Sequence, residues 1–130
     1  MASRRAIPHL TSLRQAARPG ITALLPSSKS PPPHLIDVRE PPEYASGHIP
    51  TSKNLPITSS PDALFLPADH FLARFGWPKP PKGDEIVFYC RAGVRSAAAA
   101  RLAVKAGWER VGQYEGSWLE WEKNGGEKEM

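Results

Sequence analysis

The residues best suited to chemistry lie together at Cys90-Arg91-Ala92-Gly93-Val94-Arg95-Ser96. Cys90 is the single cysteine of a 130-residue chain, and two guanidiniums follow it closely. A thiol reacts as its thiolate, and an unperturbed cysteine with pKa of roughly 8.5 is only a few per cent ionised at neutral pH. Loop amides pointing inward, the positive end of a following helix, Arg91 and Arg95 would all favour the anion. The same cradle would hold a second anion, either a substrate or a charged group built on the sulfur. Gly93, in mid-loop, lets the backbone turn with positive φ and approach a ligand closely. A cysteine ending an apolar run is often an inert core residue. Here the adjacent arginines and the immediate start of a helix favour a reactive one.

Such a loop needs a strand before it and a helix after it. Ile86-Val87-Phe88-Tyr89 is an apolar run that follows the turn-like Pro81-Lys82-Gly83-Asp84. It reads as a strand buried on both faces, as in a parallel sheet. Beyond Ser96, Ala97–Lys105 is a strong helix former closed by Gly107. The thiol is thereby expected at the carboxyl edge of a sheet, facing a helix amino terminus, where open α/β folds place their ligands.

Three ordered segments carry a family resemblance. Cys90–Ser96 resembles the active-site loop of the rhodanese family, the sulfurtransferases that carry sulfane sulfur on a cysteine. Leu35–Pro50 (LIDVREPPEYASGHIP) and Gly116–Gly126 (GSWLEWEKNGG) are similar to two further signatures of that family. The pattern is nearest to single-domain thiosulfate sulfurtransferase-like proteins of eukaryotes. The resemblance implies a rhodanese-like α/β fold, a central mostly parallel sheet flanked by helices on both faces. It also implies that Cys90 is the persulfide-forming nucleophile and that Arg91, Ala92, Gly93, Val94, Arg95 and Ser96 bind substrate. With no resolving cysteine, a persulfide on Cys90 must be discharged to another molecule. The donor is expected to be thiosulfate or a related small anion. The acceptor is expected to be cyanide in vitro, or a thiol such as glutathione or a thioredoxin-like protein. No cofactor is expected. Thr51 stands where the family commonly has glycine. The strand and helix that usually precede the Asp-Val-Arg segment have only Gly20–Pro33 to supply them, with Ile21–Leu25 as a possible remnant.

Length and composition fit one domain: 40 % of the residues are hydrophobic, enough for a real core. Residues 1–34 hold Arg4, Arg5, Arg14, Arg18 and Lys29 and no acid. With +4 on the whole chain, Leu35 onward is close to −1. The basic balance belongs to the leader, so nucleic-acid binding by the folded part is not implied. No apolar run is long enough to span a membrane, and the four histidines lack metal-ligand spacing. Residues 1–33 read as a basic leader and Pro-rich linker, with a composition that fits mitochondrial targeting; a disordered basic tail is the alternative. The expected divisions are 1–33, a rhodanese-like domain over 34–126, and a frayed charged tail over 127–130. A monomer in the mitochondrial matrix is expected, or otherwise in the cytoplasm.

Leu35–Val38 reads as a buried strand, with Asp37 and Arg39 bonding loop backbone or each other beneath the site. Pro42–Ala45 reads as a helical turn, and His48 as a structural, hydrogen-bonded residue rather than a base. Asn54–Ile57 should be a short strand. Asp69 is expected to cap a helix with Phe71, Leu72 and Phe75 in the core, and Arg110–Tyr114 should form the last strand. Trp121 is placed in the core by the resemblance, while Trp118 is equally compatible with packing or with the pocket mouth. Two other functions fit less of the sequence. Cysteine phosphatases and arsenate reductases use a Cys-x5-Arg loop, whereas only four residues separate Cys90 from Arg95. A non-catalytic interaction module of the same fold is the other alternative.

Overall fold

The computed structural model describes residues 32–130. Expectations for the leader and for the segment around Ile21–Leu25 lie outside the described residues. The elements are β1 (His34–Asp37), α1 (Pro41–Ala45), β2 (Lys53–Asn54), a 3-10 turn (Ala63–Phe65) and α2 (Ala68–Phe75). They are followed by β3 (Ile86–Tyr89), α3 (Val94–Ala106), β4 (Val111–Gln113) and α4 (Ser117–Lys123). The strands form one sheet in the order β2-β1-β3-β4, with every pairing parallel. β1 and β3 lie centrally, with Asp37 opposite Tyr89 at their carboxyl ends.

Alternation along β3 divides its side chains between two cores. Ile86 and Phe88 pack with Ile36, Phe71, Ala99, Ala103 and Val111. Val87 and Tyr89 pack with Leu35, Tyr114, Trp118 and Trp121. All four residues of β3 are buried because α2 and α3 cover one face and α4 the other. The small side chains of Ala99 and Ala103 let α3 lie close on the sheet, and Gly107 caps it in the left-handed conformation.

Several local expectations are corrected. α3 opens at Val94 rather than after Ser96, with Gly93 at its amino-terminal cap. The strand expected over Asn54–Ile57 is confined to Lys53–Asn54; Leu55 still donates to the Asp37 carbonyl, but Pro56 has no N–H for the ladder. Asp69 is not a cap. Pro67 holds that position, and Asp69 lies inside the first turn. Of the stripe in α2, Phe71 is fully buried but Leu72 is half exposed. The terminal residues are not frayed: the backbones of His48 and Glu129 exchange two 2.9 Å hydrogen bonds, and Trp121 Nε1 donates to the Glu127 carbonyl.

Candidate active site

β3 ends at Tyr89, and the next residue delivers Cys90 to the carboxyl edge of the sheet. The loop turns at once into α3, and Gly93 makes this possible. Its φ is +100°, and a Cβ there would lie 2.7 Å from the Glu115 carbonyl oxygen. The turn brings the Gly93 N–H to 3.0 Å from Cys90 Sγ, the Ser96 N–H to 3.4 Å and Ser96 Oγ to 3.5 Å. Cys90 is buried, yet its sulfur faces this ring of donors.

Distant parts of the chain fix the ring. Gln113 Nε2 donates to the Gly93 carbonyl (2.7 Å) and to Ser96 Oγ (2.9 Å), which leaves the serine hydrogen free to point at sulfur. Ser117 Oγ accepts the Cys90 N–H at 3.1 Å and lies 3.9 Å from Sγ. The Trp118 and Leu119 amides bond the carbonyls of Cys90 and Arg91. The loop is thus held from β4 and from the start of α4.

Burial alone would push the Cys90 thiol up. The Ser96 hydroxyl and the amides of Ser96, Gly93 and Ala92 outweigh it and hold the thiol below its ordinary value. Arginine plays a smaller part than the sequence suggested. Arg95 is occupied: its Nη1 and Nη2 donate to the two carboxylate oxygens of Glu43 at 2.8 and 3.1 Å. Hydrogen bonding to Arg95 in turn lowers Glu43 to about 2. Arg91, Ala92 and Val94 are exposed at the rim.

Asp37 and Arg39 form a buried pair beside these elements. Arg39 Nε and Nη2 lie 2.8–3.1 Å from the Asp37 carboxylate, and Nη2 also donates to the Gly47 carbonyl at 2.7 Å. The guanidinium lies 4.9 Å from the Trp118 ring centroid, so Trp118 packs against it. Burial works against the charge on Arg39, but the Asp37 carboxylate overcomes this and raises its pKa. His48 stacks on Tyr44 with ring centroids 3.6 Å apart, and its Nδ1 donates to the Tyr44 carbonyl. Its partners are Tyr44 and Glu129, and neither belongs to the cysteine loop.

Sequence reasoning missed three residues of this arrangement: Glu43, Gln113 and Ser117. Glu43 and Ser117 lie inside the two flanking signature segments, which was the available signal. Gln113 lies in no motif. What the assembly offers is a buried sulfur that is stabilised as an anion beneath a loop whose Arg91, Ala92 and Val94 are exposed. Donors already in place would also receive charge on an atom bonded to that sulfur.

Comparison with known proteins agrees with this geometry. The sequence profile of the rhodanese-like domain matches residues 22–124. The thiosulfate:glutathione sulfurtransferase of Saccharomyces cerevisiae is 43 % identical over 94 residues, covering 72 % of this chain and 68 % of that protein. Mitochondrial thiosulfate sulfurtransferase RDL2 of the same yeast is 45 % identical over 92 residues, covering 71 % and 62 %. The crystal structure of RDL2 is similar with a TM-score of 0.69 at 41 % identity, covering 78 % of this chain and 80 % of that one. The matched region spans 61 to 68 % of the length of the first three curated relatives. Fold, cysteine loop and sequence similarity converge, and the chain belongs to the rhodanese-like domain family.

Proposed function

We propose that the chain is a sulfurtransferase that moves sulfane sulfur from thiosulfate or a related anion to a thiol or cyanide. The observation that carries this reading is Cys90 Sγ within hydrogen-bonding reach of Gly93 N, Ser96 N and Ser96 Oγ. The Cys90 thiolate attacks the outer sulfur of thiosulfate. A new S–S bond forms, the S–S bond of the donor breaks, and its electron pair leaves with sulfite. The products are a Cys90 persulfide anion and sulfite, so three negative charges stand on each side. An acceptor thiolate then attacks the terminal sulfur, restoring Cys90 as thiolate and leaving with the persulfide; cyanide leaves as thiocyanate.

In this reading the amides of Arg91–Ser96 hold the donor and then the persulfide, with Arg91 as the rim cation. Asp37 and Arg39 act through packing of the sheet edge, and His48 through the loop that it anchors. Relatives named thiosulfate:glutathione sulfurtransferase support thiosulfate as donor and glutathione as acceptor; a thioredoxin-like protein thiol is a second acceptor of the same chemistry. RDL2, named mitochondrial, supports a mitochondrial compartment, and the matrix is the part of it proposed here. The chain is proposed to act as a monomer.

Intact-mass measurement after incubation with thiosulfate tests the proposal. The expected result is a gain of one sulfur atom on the wild-type chain and none on Cys90→Ser, which keeps its cooperative thermal transition but loses turnover. Absence of the adduct on the folded wild-type chain would overturn the assignment and favour a non-catalytic module.

A further inference from the structure

Of the two loop guanidiniums, only Arg91 is exposed, because Arg95 is paired with a residue from another element. Glu43 is the third residue of α1, and its carboxylate is fixed from two sides. Its Oε1 accepts the Glu40 N–H at 3.0 Å as half of a reciprocal capping box. Both oxygens receive the Arg95 fork at 2.8 and 3.1 Å. The pair sits at the site because Arg95 lies in the first turn of α3 beside Ser96, whose N–H and Oγ face Cys90 Sγ. The charge on Arg95 interacts with Cys90, and Glu43 also lies in the field of Arg39. A carboxylate thus occupies one of the two guanidinium forks of the loop, a geometry that could otherwise receive an oxyanion.

Resting on the sulfurtransferase reading above, we propose that Glu43 is a specificity-determining residue: by occupying Arg95 it sets how strongly the loop holds a doubly charged sulfur donor. Coulomb energy scales with the product of charges, so neutralising one local cation weakens a dianion about twice as much as a monoanion. Thiosulfate and departing sulfite are dianions at neutral to alkaline pH. Glutathione brings to the loop only the single charge of its attacking thiolate, because its two carboxylates and its ammonium lie several bonds from the sulfur. Glu43 therefore lowers affinity for the donor and speeds escape of sulfite, while it affects the acceptor less. Arg95 and Glu43 are both part-exposed, which keeps the expected effect moderate.

Glu43→Gln in the full chain is the test. Glutamine at this position still completes a capping box, so charge is removed while the helix start is kept. The expected result is a rise of about fivefold in kcat/KM for thiosulfate at low ionic strength, shrinking as salt is added. Sulfite inhibition should strengthen in parallel, with a smaller change in kcat/KM for glutathione. Sulfite protection of Cys90 against alkylation should tighten in the same order, a readout that needs no turnover. Unchanged or weaker thiosulfate and sulfite affinity in a folded Glu43→Gln chain would overturn the assignment, as would equal changes for donor and acceptor. A wild-type chain that takes up no sulfur would instead overturn the sulfurtransferase reading, with sulfite protection still deciding the role of Glu43.

Discussion

Ser96→Ala removes one of the hydrogen bonds that support the sulfur anion. Ser96 is fully buried, and its hydroxyl has one hydrogen. Gln113 already donates to its oxygen at 2.9 Å, so that hydrogen is directed to Cys90 Sγ, 3.5 Å away. The substitution leaves the Gly93 and Ser96 amides in place, and Gln113 keeps the Gly93 carbonyl at 2.7 Å. The loss is therefore one hydrogen bond to a charged acceptor, at the weak end for sulfur, about 1.5 kcal/mol. That corresponds to roughly a tenfold smaller thiolate population on the acid limb of the rate profile. On the alkaline side both proteins are fully ionised and their rates should converge.

The ultraviolet absorbance of the thiolate gives a direct titration, because the chain has one cysteine. Burial raises the phenols of Tyr44, Tyr89 and Tyr114, all three tyrosines of the chain, and keeps tyrosinate absorbance out of that range. The stability consequence has a definite sign. The folded thiol titrates below the unfolded one, so its ionisation stabilises the fold above the unfolded value, and that gain is lost as pH falls through the folded value. Ser96→Ala should accordingly lose stability mainly at alkaline pH. An unmoved titration midpoint, or a rate loss of the same size at every pH, would refute this account of the cradle.

Two further substitutions test the backbone around the site. Gly93→Ala places a methyl group 2.7 Å from the Glu115 carbonyl at a φ of +100°. A cost of about 2–4 kcal/mol is expected, with poor sulfur uptake; near wild-type denaturant unfolding and loading would count against it. Thr51 is exposed and held at a φ of +73°. Thr51→Gly should therefore stabilise the fold by about 0.5–1 kcal/mol, the relieved strain exceeding the added chain entropy. A lower melting temperature would contradict this.

The Thr51 conformation gives a physical reason for the glycine common at this position in the family: it is a left-handed turn that a β-branched residue occupies at a cost. Other features were open to misreading. The proline in Asn54–Ile57 cut short a strand that apolar composition had suggested. The charged end of the chain looked free to fray, but the edge of His48 was available to pair with Glu129. Residue types near a terminus do not reveal such a distant partner.

By itself the sequence determined the local unit: an apolar strand, a cysteine at its end, a glycine to turn the chain and an alanine-rich helix to receive it. Those features depend on residues a few positions apart, whose preferences and hydrogen bonds are set by short stretches of backbone. Only the tertiary structure decided which groups surround that unit. It assigned Arg95 to Glu43, 52 positions away, and made Gln113 and Ser117 braces of the loop. Pairings of this kind depend on how strands order themselves in the sheet, because burial selects partners by proximity in space and not by spacing along the chain.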